Sequence, residues 1–159
     1  MQRPKLITIS GPTAIGKTSF AVSLAKHLKC PILSSDARQF FKEMQIGTAV
    51  PTIDEQQGVK HYFIQHKSIH EPYSVGDFEK DAIALLNSLF KQFEAVLLVG
   101  GSNLYTDAVV HGLDTFPDVS EDISATWQKT YKTKGLAHLQ DELQRLDPSY
   151  FEIVDLQNH

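Results

Sequence analysis

The stretch Ile7 to Phe20, ITISGPTAIGKTSF, constrains this chain more than any other. A β-branched apolar run meets a glycine-framed loop, and the loop opens into a helical pattern. Gly11 to Thr18 fits G-x-x-x-x-G-K-[ST], and a strand before it and a helix after it are the context that this phosphate loop needs. Glycines let the backbone bend so that several N–H groups converge on phosphate oxygens. The N-terminus of the following helix adds partial positive charge. Lys17 adds a full charge, and the Thr18 hydroxyl is placed to ligate magnesium.

The rest of the chain carries the elements such a loop is built into. Lys5 to Ser10 reads as a buried parallel strand. Lys17 to Leu28 reads as a helix, with Phe20, Leu24 and Leu28 at i, i+4, i+8 and Ala21 and Ala25 filling the same side. CPILSSD (30–36) is a second strand ending on an acid, and residues 37–60 read as irregular, with turn signals at Gly47, Pro51 and Gly58. HYFIQ (61–65) fits a short strand. Ser74 and Asp77 form a capping-box pattern ahead of a helix that carries Phe78, Ala82, Leu85, Leu86, Leu89 and Phe93 on one stripe. AVLLV (95–99) is a third buried strand, closed by Gly100 and Gly101, and residues 102–112 read as a helix ended by Gly112. After FPDV (116–119) the pattern changes to two or three short helices over 120–157, including Gly135 to Leu146. Alternating strands and helices predict an α/β fold: a P-loop NTPase-like parallel sheet flanked by helices, with a partial helical insertion. The expected division is 1–115 for the α/β core and 116–159 for the helical annex.

Composition narrows the function classes. With 159 residues, 42% hydrophobic and 21% charged, the chain suits one full core. Cys30 is its one cysteine, which leaves no disulfide framework or cysteine metal cluster and suits a reducing, cytoplasmic setting. No apolar run approaches a membrane span of roughly 20 residues, and a strand starting near Met1 leaves no room for a signal peptide. A net charge of −4 means that any nucleic-acid contact must use a local basic patch.

A nucleoside triphosphatase places a second acid for magnesium at the end of another strand. AVLLV ends in Gly100-Gly101 with no acid, whereas ILSSD ends in Asp36. Carboxyl ends of parallel strands face the ligand crevice, so Asp36 belongs near the phosphate loop. As a functional group it is a base or a magnesium second-shell ligand; as a structural one it is a helix N-cap. GGSN (100–103) is either a second place of close backbone approach or a tight turn in which Ser102 caps the next helix. The seven histidines, at 27, 61, 66, 70, 111, 138 and 159, lack a helical ligand pair and read as solvated or structural. KTYKTKG (129–135) fits either a solvated helix face or a contact to a nucleic-acid backbone.

Taken in order, these segments resemble one family, the tRNA dimethylallyltransferases. The resemblance rests on GPTAIGKT, on SSDARQFFKEMQIGTAVP (34–51), and on HYFI, YSVGDFEKDA and LLVGGSNLYTDAVVHGL following in family order. It implies transfer of a dimethylallyl group from its diphosphate to the exocyclic amine of the adenine on the 3′ side of the anticodon, with pyrophosphate leaving. It implies that Gly11, Pro12, Thr13, Ala14, Ile15, Gly16, Lys17 and Thr18 hold the diphosphate, with Thr18 serving magnesium. Asp36, Thr18 and Lys17 would then be the catalytic set, with Asp36 taking the proton from the adenine amine. Asp36, Ala37, Arg38, Gln39 and Ser102 would contact tRNA. The implied partners are dimethylallyl diphosphate and tRNA, with no membrane and a monomeric protein, and residues 116–159 would begin a helical tRNA-binding insertion.

The sequence departs from the family at Val50, where a lysine is usual, at Ala37, where a serine is usual, and at Ser124, where an arginine is frequent. It also stops near the middle of the family's usual length, so the chain as given is expected to bind tRNA weakly and turn over slowly or not at all. A small-molecule kinase is a rival, opposed by the missing acid after AVLLV and by Arg145 being the one arginine after Arg38. An adenylate isopentenyltransferase is a nearer rival, opposed by the helical annex. A non-catalytic binding module is a third.

Overall fold

The computed structural model describes residues 3–114 and 119–157. The chain divides into two compact units, Met1–Asp114 and Thr115–His159, each described by itself.

The first unit alternates β1 (Lys5–Ser10), α1 (Lys17–Leu28), β2 (Ile32–Ser34), α2 (Ile53–Gln56), β3 (His61–Tyr62), α3 (Val75–Leu89), β4 (Ala95–Gly100) and α4 (Asn103–His111). The strands form a parallel sheet in the order β1-β4-β2-β3. Lys5 pairs with Ala95 and Ser10 with Gly100, while Ile32 lies between Leu97 and His61. The strand period of two sorts the core into two layers. Ile32, Ala95 and Leu97 pack with Ala21, Val22 and Ala25 of α1. Leu33, Val96 and Leu98 pack with Phe78, Ala82, Leu86 and Leu89 of α3 and Val109 of α4. Helices therefore cover both faces, as the strand-helix alternation predicts.

Several expectations are corrected. The buried stripe of α1 is Ala21, Val22 and Ala25; Phe20 is 60% exposed and Leu28 38% exposed. Small side chains let the helix backbone approach the sheet, Leu24 packs partly buried against that layer, and Phe20 and Leu28 turn away. β1 is half exposed because it lies at one end of the described sheet, with β4 as its paired neighbour. The second strand is limited to Ile32–Ser34, and HYFIQ contributes only His61–Tyr62. Phe93 lies beyond α3, which ends at Leu89. Residues 37–60 are not all irregular. A short 3-10 helix spans Ala37–Gln39, and α2 is opened by a capping box between Thr52 and Glu55.

Other local signals hold. Ser74 Oγ accepts from Asp77 N at 3.2 Å, and an Asp77 carboxylate oxygen accepts from Ser74 N at 2.9 Å, closing the capping box of α3. Gly112, at φ 81°, ends α4 with its N–H on Ala108 O at 3.0 Å.

The second unit contains α5 (Glu121–Leu146) and α6 (Pro148–Phe151). Gly135, at φ 78° and ψ −178°, breaks α5 into two rods, which matches the expected helix beginning at that glycine. Gln140 Nε2 donates to Leu156 O at 2.8 Å and ties the second rod to the chain after α6. None of the described residues of α5 and α6 is fully buried. The expected boundary at 115/116, and 116–118 of FPDV, lie outside the described residues, as does His159.

Candidate functional site

The phosphate loop connects β1 to α1 at the carboxyl end of the sheet. Gly16 is the N-cap of α1, at φ 94°, a conformation that side chains disfavour. A glycine cap carries no side chain to occupy the first-turn N–H groups, which have no partner inside a helix. Those donors are left for an anion. Lys17 Nζ donates to Gly11 O at 2.6 Å and Pro12 O at 2.7 Å, so the ammonium is folded against its own loop.

Beside the loop is a cavity of about 360 Å³. Thr13, Ala14, Gly16, Lys17 and Thr18 line it, with Ser34 at the end of β2 and Asp36 and Gln39 just after it. Ala49, Pro51, Glu55, Gln57 and His61 complete the wall. Of the residues expected from sequence, Gly11, Pro12, Ile15, Ala37, Arg38 and Ser102 are not in the cavity lining. Ile15 is 67% exposed. Val50, at the departure from the family pattern, is also outside the lining, although its neighbours Ala49 and Pro51 are in it.

Asp36 is brought to the phosphate loop and is also a cap. Its Oδ1 accepts from Arg38 N at 3.1 Å, closing the N-terminus of the Ala37–Gln39 turn. The two alternatives open in the sequence are compatible, because a carboxylate can cap with one oxygen and present its other lone pairs to a ligand. Ser102 does not cap α4 through its side chain. Its Oγ accepts instead from Ala37 N at 3.5 Å, so the GGSN turn meets the Asp36 loop. A Cβ on Gly101 would lie 3.6 Å from Gly11 O and 3.9 Å from Lys17 Nζ, which places this second glycine against the phosphate loop.

Glu55, Gln57 and His61 were not legible in the sequence as part of this cavity. Glu55 accepts from Thr52 N at 2.8 Å and from Thr52 Oγ1 at 3.0 Å, and these bonds hold its carboxyl below the usual range. His61 Nδ1 lies 2.9 Å from Val59 O. A carbonyl only accepts, so Nδ1 carries a proton. The T-x-x-E pattern of Thr52 to Glu55 is the signal that could have revealed α2.

A loop of main-chain donors, one lysine and one hydroxyl between the first strand and first helix of a parallel α/β sheet define a fold of the P-loop class. The chain belongs to the IPP transferase family, whose model matches residues 39–159. It is 51% identical over 153 residues to a tRNA dimethylallyltransferase of Flavobacterium johnsoniae, covering 96% of this chain and 50% of that protein. A tRNA isopentenylpyrophosphate transferase of Bacillus halodurans matches in structure with a TM-score of 0.69 and 35% identity, over 98% of this chain and 52% of that one. A eukaryotic dimethylallyltransferase acting on tRNA shares the fold, with a TM-score of 0.82 at 17% identity over 99% of this chain and 39% of that one. The chain thus spans about half the length of the curated relatives it matches.

Proposed function

We propose that the protein carrying this chain transfers a dimethylallyl group from dimethylallyl diphosphate to the exocyclic amine of the adenine 3′-adjacent to the anticodon in tRNA, releasing pyrophosphate in the cytoplasm. The observation that carries this reading is the pairing, in one cavity, of the phosphate loop with Asp36, while β4 ends in glycine where a triphosphatase would carry an acid. A loop so equipped suits a diphosphate that leaves.

The chemistry follows from the residues. As the allylic C–O bond breaks, negative charge grows on the diphosphate. The first-turn N–H groups of α1 and the Lys17 ammonium stabilise that charge without reorganising. Lys17 would exchange its bonds to Gly11 and Pro12 for phosphate oxygens. Asp36, in the same cavity, would hydrogen-bond the amine of a base extruded from the RNA stack, orient it, and accept its proton as the new C–N bond forms. Ala37 and Arg38, which follow it in the chain, would contact the RNA together with Ser102, which meets Ala37 N from the GGSN turn.

Among the described residues no group of three His, Cys, Asp or Glu side chains could hold a metal. The site fits magnesium nonetheless, because that ion is commonly bound by one or two protein oxygens together with substrate phosphates. Thr18 at the cavity would supply the protein oxygen. When bound, the ion would add positive charge to the leaving group.

We assign the helical unit as the start of an RNA-binding surface. Lys129, Lys132 and Lys134 in the first rod of α5 support this as phosphate contacts. Incubating the full-length protein with labelled donor and either unmodified tRNA or adenosine monophosphate tests the reading. Label in tRNA supports it, and label only in the nucleotide overturns it in favour of an adenylate isopentenyltransferase.

A further inference from the structure

We propose that Gln39 is a positioning residue: its side-chain amide clasps the end of β2 to the segment 48–49 and so fixes Asp36 relative to Ala49 and Pro51, which line the same cavity. This rests on the reading of that cavity as the reactive site. It departs from the role as a tRNA contact that family resemblance implies for Gln39.

The amide spans two segments that share no ladder. Ser34 Oγ donates to Gln39 Oε1 at 2.9 Å. Gln39 Nε2 donates to Ala49 O at 3.0 Å and lies 3.4 Å from Thr48 O. The chemistry fixes the orientation of the amide. Thr48 O and Ala49 O only accept, so the NH₂ group faces them. The atom facing Ser34 is therefore the amide oxygen, and the Ser34 hydroxyl, which accepts from Asp36 N at 3.2 Å, donates its proton to it.

Both donor positions of Nε2 are thus directed at the protein's own backbone. A contact to RNA through that nitrogen would have to break the clasp. The clasp also holds an unfavourable conformation. Ala49 has φ 50°, in the left-handed region that a residue with a Cβ seldom adopts. Thr48 beside it is buried, with its Oγ1 on Met44 O at 2.7 Å. Ala49 and Pro51 line the same cavity as the phosphate loop. Glutamate at position 39 would set a carboxylate against two carbonyl oxygens, and asparagine would fall one methylene short.

Ser34 makes the proposal testable, because it is only 3% exposed and its hydroxyl is already engaged by Gln39 Oε1 and Asp36 N. In the full-length protein, Ser34→Ala, Gln39→Ala, Gln39→Glu and the Ser34→Ala/Gln39→Ala pair are compared. Each single variant is expected to lower kcat for prenyl transfer by between about fivefold and about a hundredfold, the range that misplacement of a reacting group produces. The KM for tRNA is expected to change less than about twofold, and the double variant to match one single variant rather than their product. A silent Ser34→Ala beside a Gln39→Ala that raises the KM for tRNA overturns the proposal, as do factors that multiply. Amide exchange in the peptide 44–51 gives a readout independent of activity. Faster exchange in both single variants is expected, and unchanged exchange in either overturns the clasp. If the wild type transfers nothing to tRNA, the functional reading fails while the exchange comparison still decides the role of Gln39.

Discussion

Gly100 passes so close to Ser35 that a Cβ on it would sit 2.7 Å from the Ser35 carbonyl carbon. Ser35 is itself fully buried, with its N–H on Val99 O at 2.9 Å and its hydroxyl 2.9 Å from Thr106 Oγ1. The ends of β2 and β4 and the body of α4 therefore meet one residue before Asp36. The glycine at the end of β4 has a steric reason, and the same crowding leaves no room there for the acid that a triphosphatase would use.

Gly100→Ala is expected to destabilise the protein by about 1–3 kcal/mol, the usual cost of forcing an extra carbon into a packed site. Ser35 backbone and hydroxyl would have to shift, and Asp36 with them. Urea unfolding of the variant checks the first effect, and pyrophosphate affinity checks the second.

Lys17→Ala is expected to weaken magnesium-pyrophosphate binding by about 1.5–3 kcal/mol, the worth of a hydrogen bond to a charged group. Calorimetric titration measures it. Stability should barely change, because the bonds that Lys17 makes are to two carbonyls of its own loop.

Asp36 holds a cap and, in our reading, accepts a proton, and two substitutions separate these roles. Asparagine caps about as well as aspartate but cannot accept the proton. Asp36→Asn should keep wild-type stability and lose about 10²- to 10⁴-fold in prenyl transfer. Asp36→Ala should lose both, with about 1 kcal/mol of stability. Wild-type transfer rates in Asp36→Asn would leave the residue as a cap alone.

His66 predicts a pH dependence of stability. Its ring lies edge-on to Phe40, Phe63 and Tyr73 at 5.5, 5.2 and 5.3 Å, and both ring nitrogens are buried without a hydrogen-bond partner. Burial lowers its pKa, with Lys67 and Lys42 adding to the effect and Asp81 and Glu71 opposing it. A depressed pKa means that the unfolded chain takes up the proton first. Stability is then fully present above the ordinary histidine value near 6.5 and falls as pH drops below it. Urea midpoints should decline from about pH 7.5 to about pH 5, and His66→Leu should flatten that decline.

What was legible in the sequence was local. Gly11 to Thr18 and Ser74 to Asp77 announce themselves because their chemistry is complete within a few residues. The stripe of α1 was legible at Ala21, Leu24 and Ala25 and wrong at Phe20 and Leu28, because Val22 lies on a neighbouring arc of the same helix and takes the core position instead. Apolarity alone does not say which arc must approach a sheet closely. The position of β1 depends on strand order, to which its own composition is blind. The clasp of Gln39 needs a carbonyl ten residues onward, presented by a left-handed turn at Ala49 that alanine does not advertise. The cavity residues that the sequence anticipated lie where motif and strand end coincide, whereas Glu55, Gln57 and His61 reach the cavity only through the packing of α2 and β3.

The phosphate loop has unequal anchorage at its two ends. Lys17 leaves on a helix seated by three buried residues, whereas Gly11 leaves from a strand whose ladder, among the described residues, is with β4 alone. A fluctuation that loosens β1 would carry off one side of the grip and leave the other standing. An anion bridging the loop would act as a splint across that joint. Bound pyrophosphate should then slow amide exchange in Lys5 to Ser10 more than in Lys17 to Leu28, and part of its affinity would be spent on holding a strand in place.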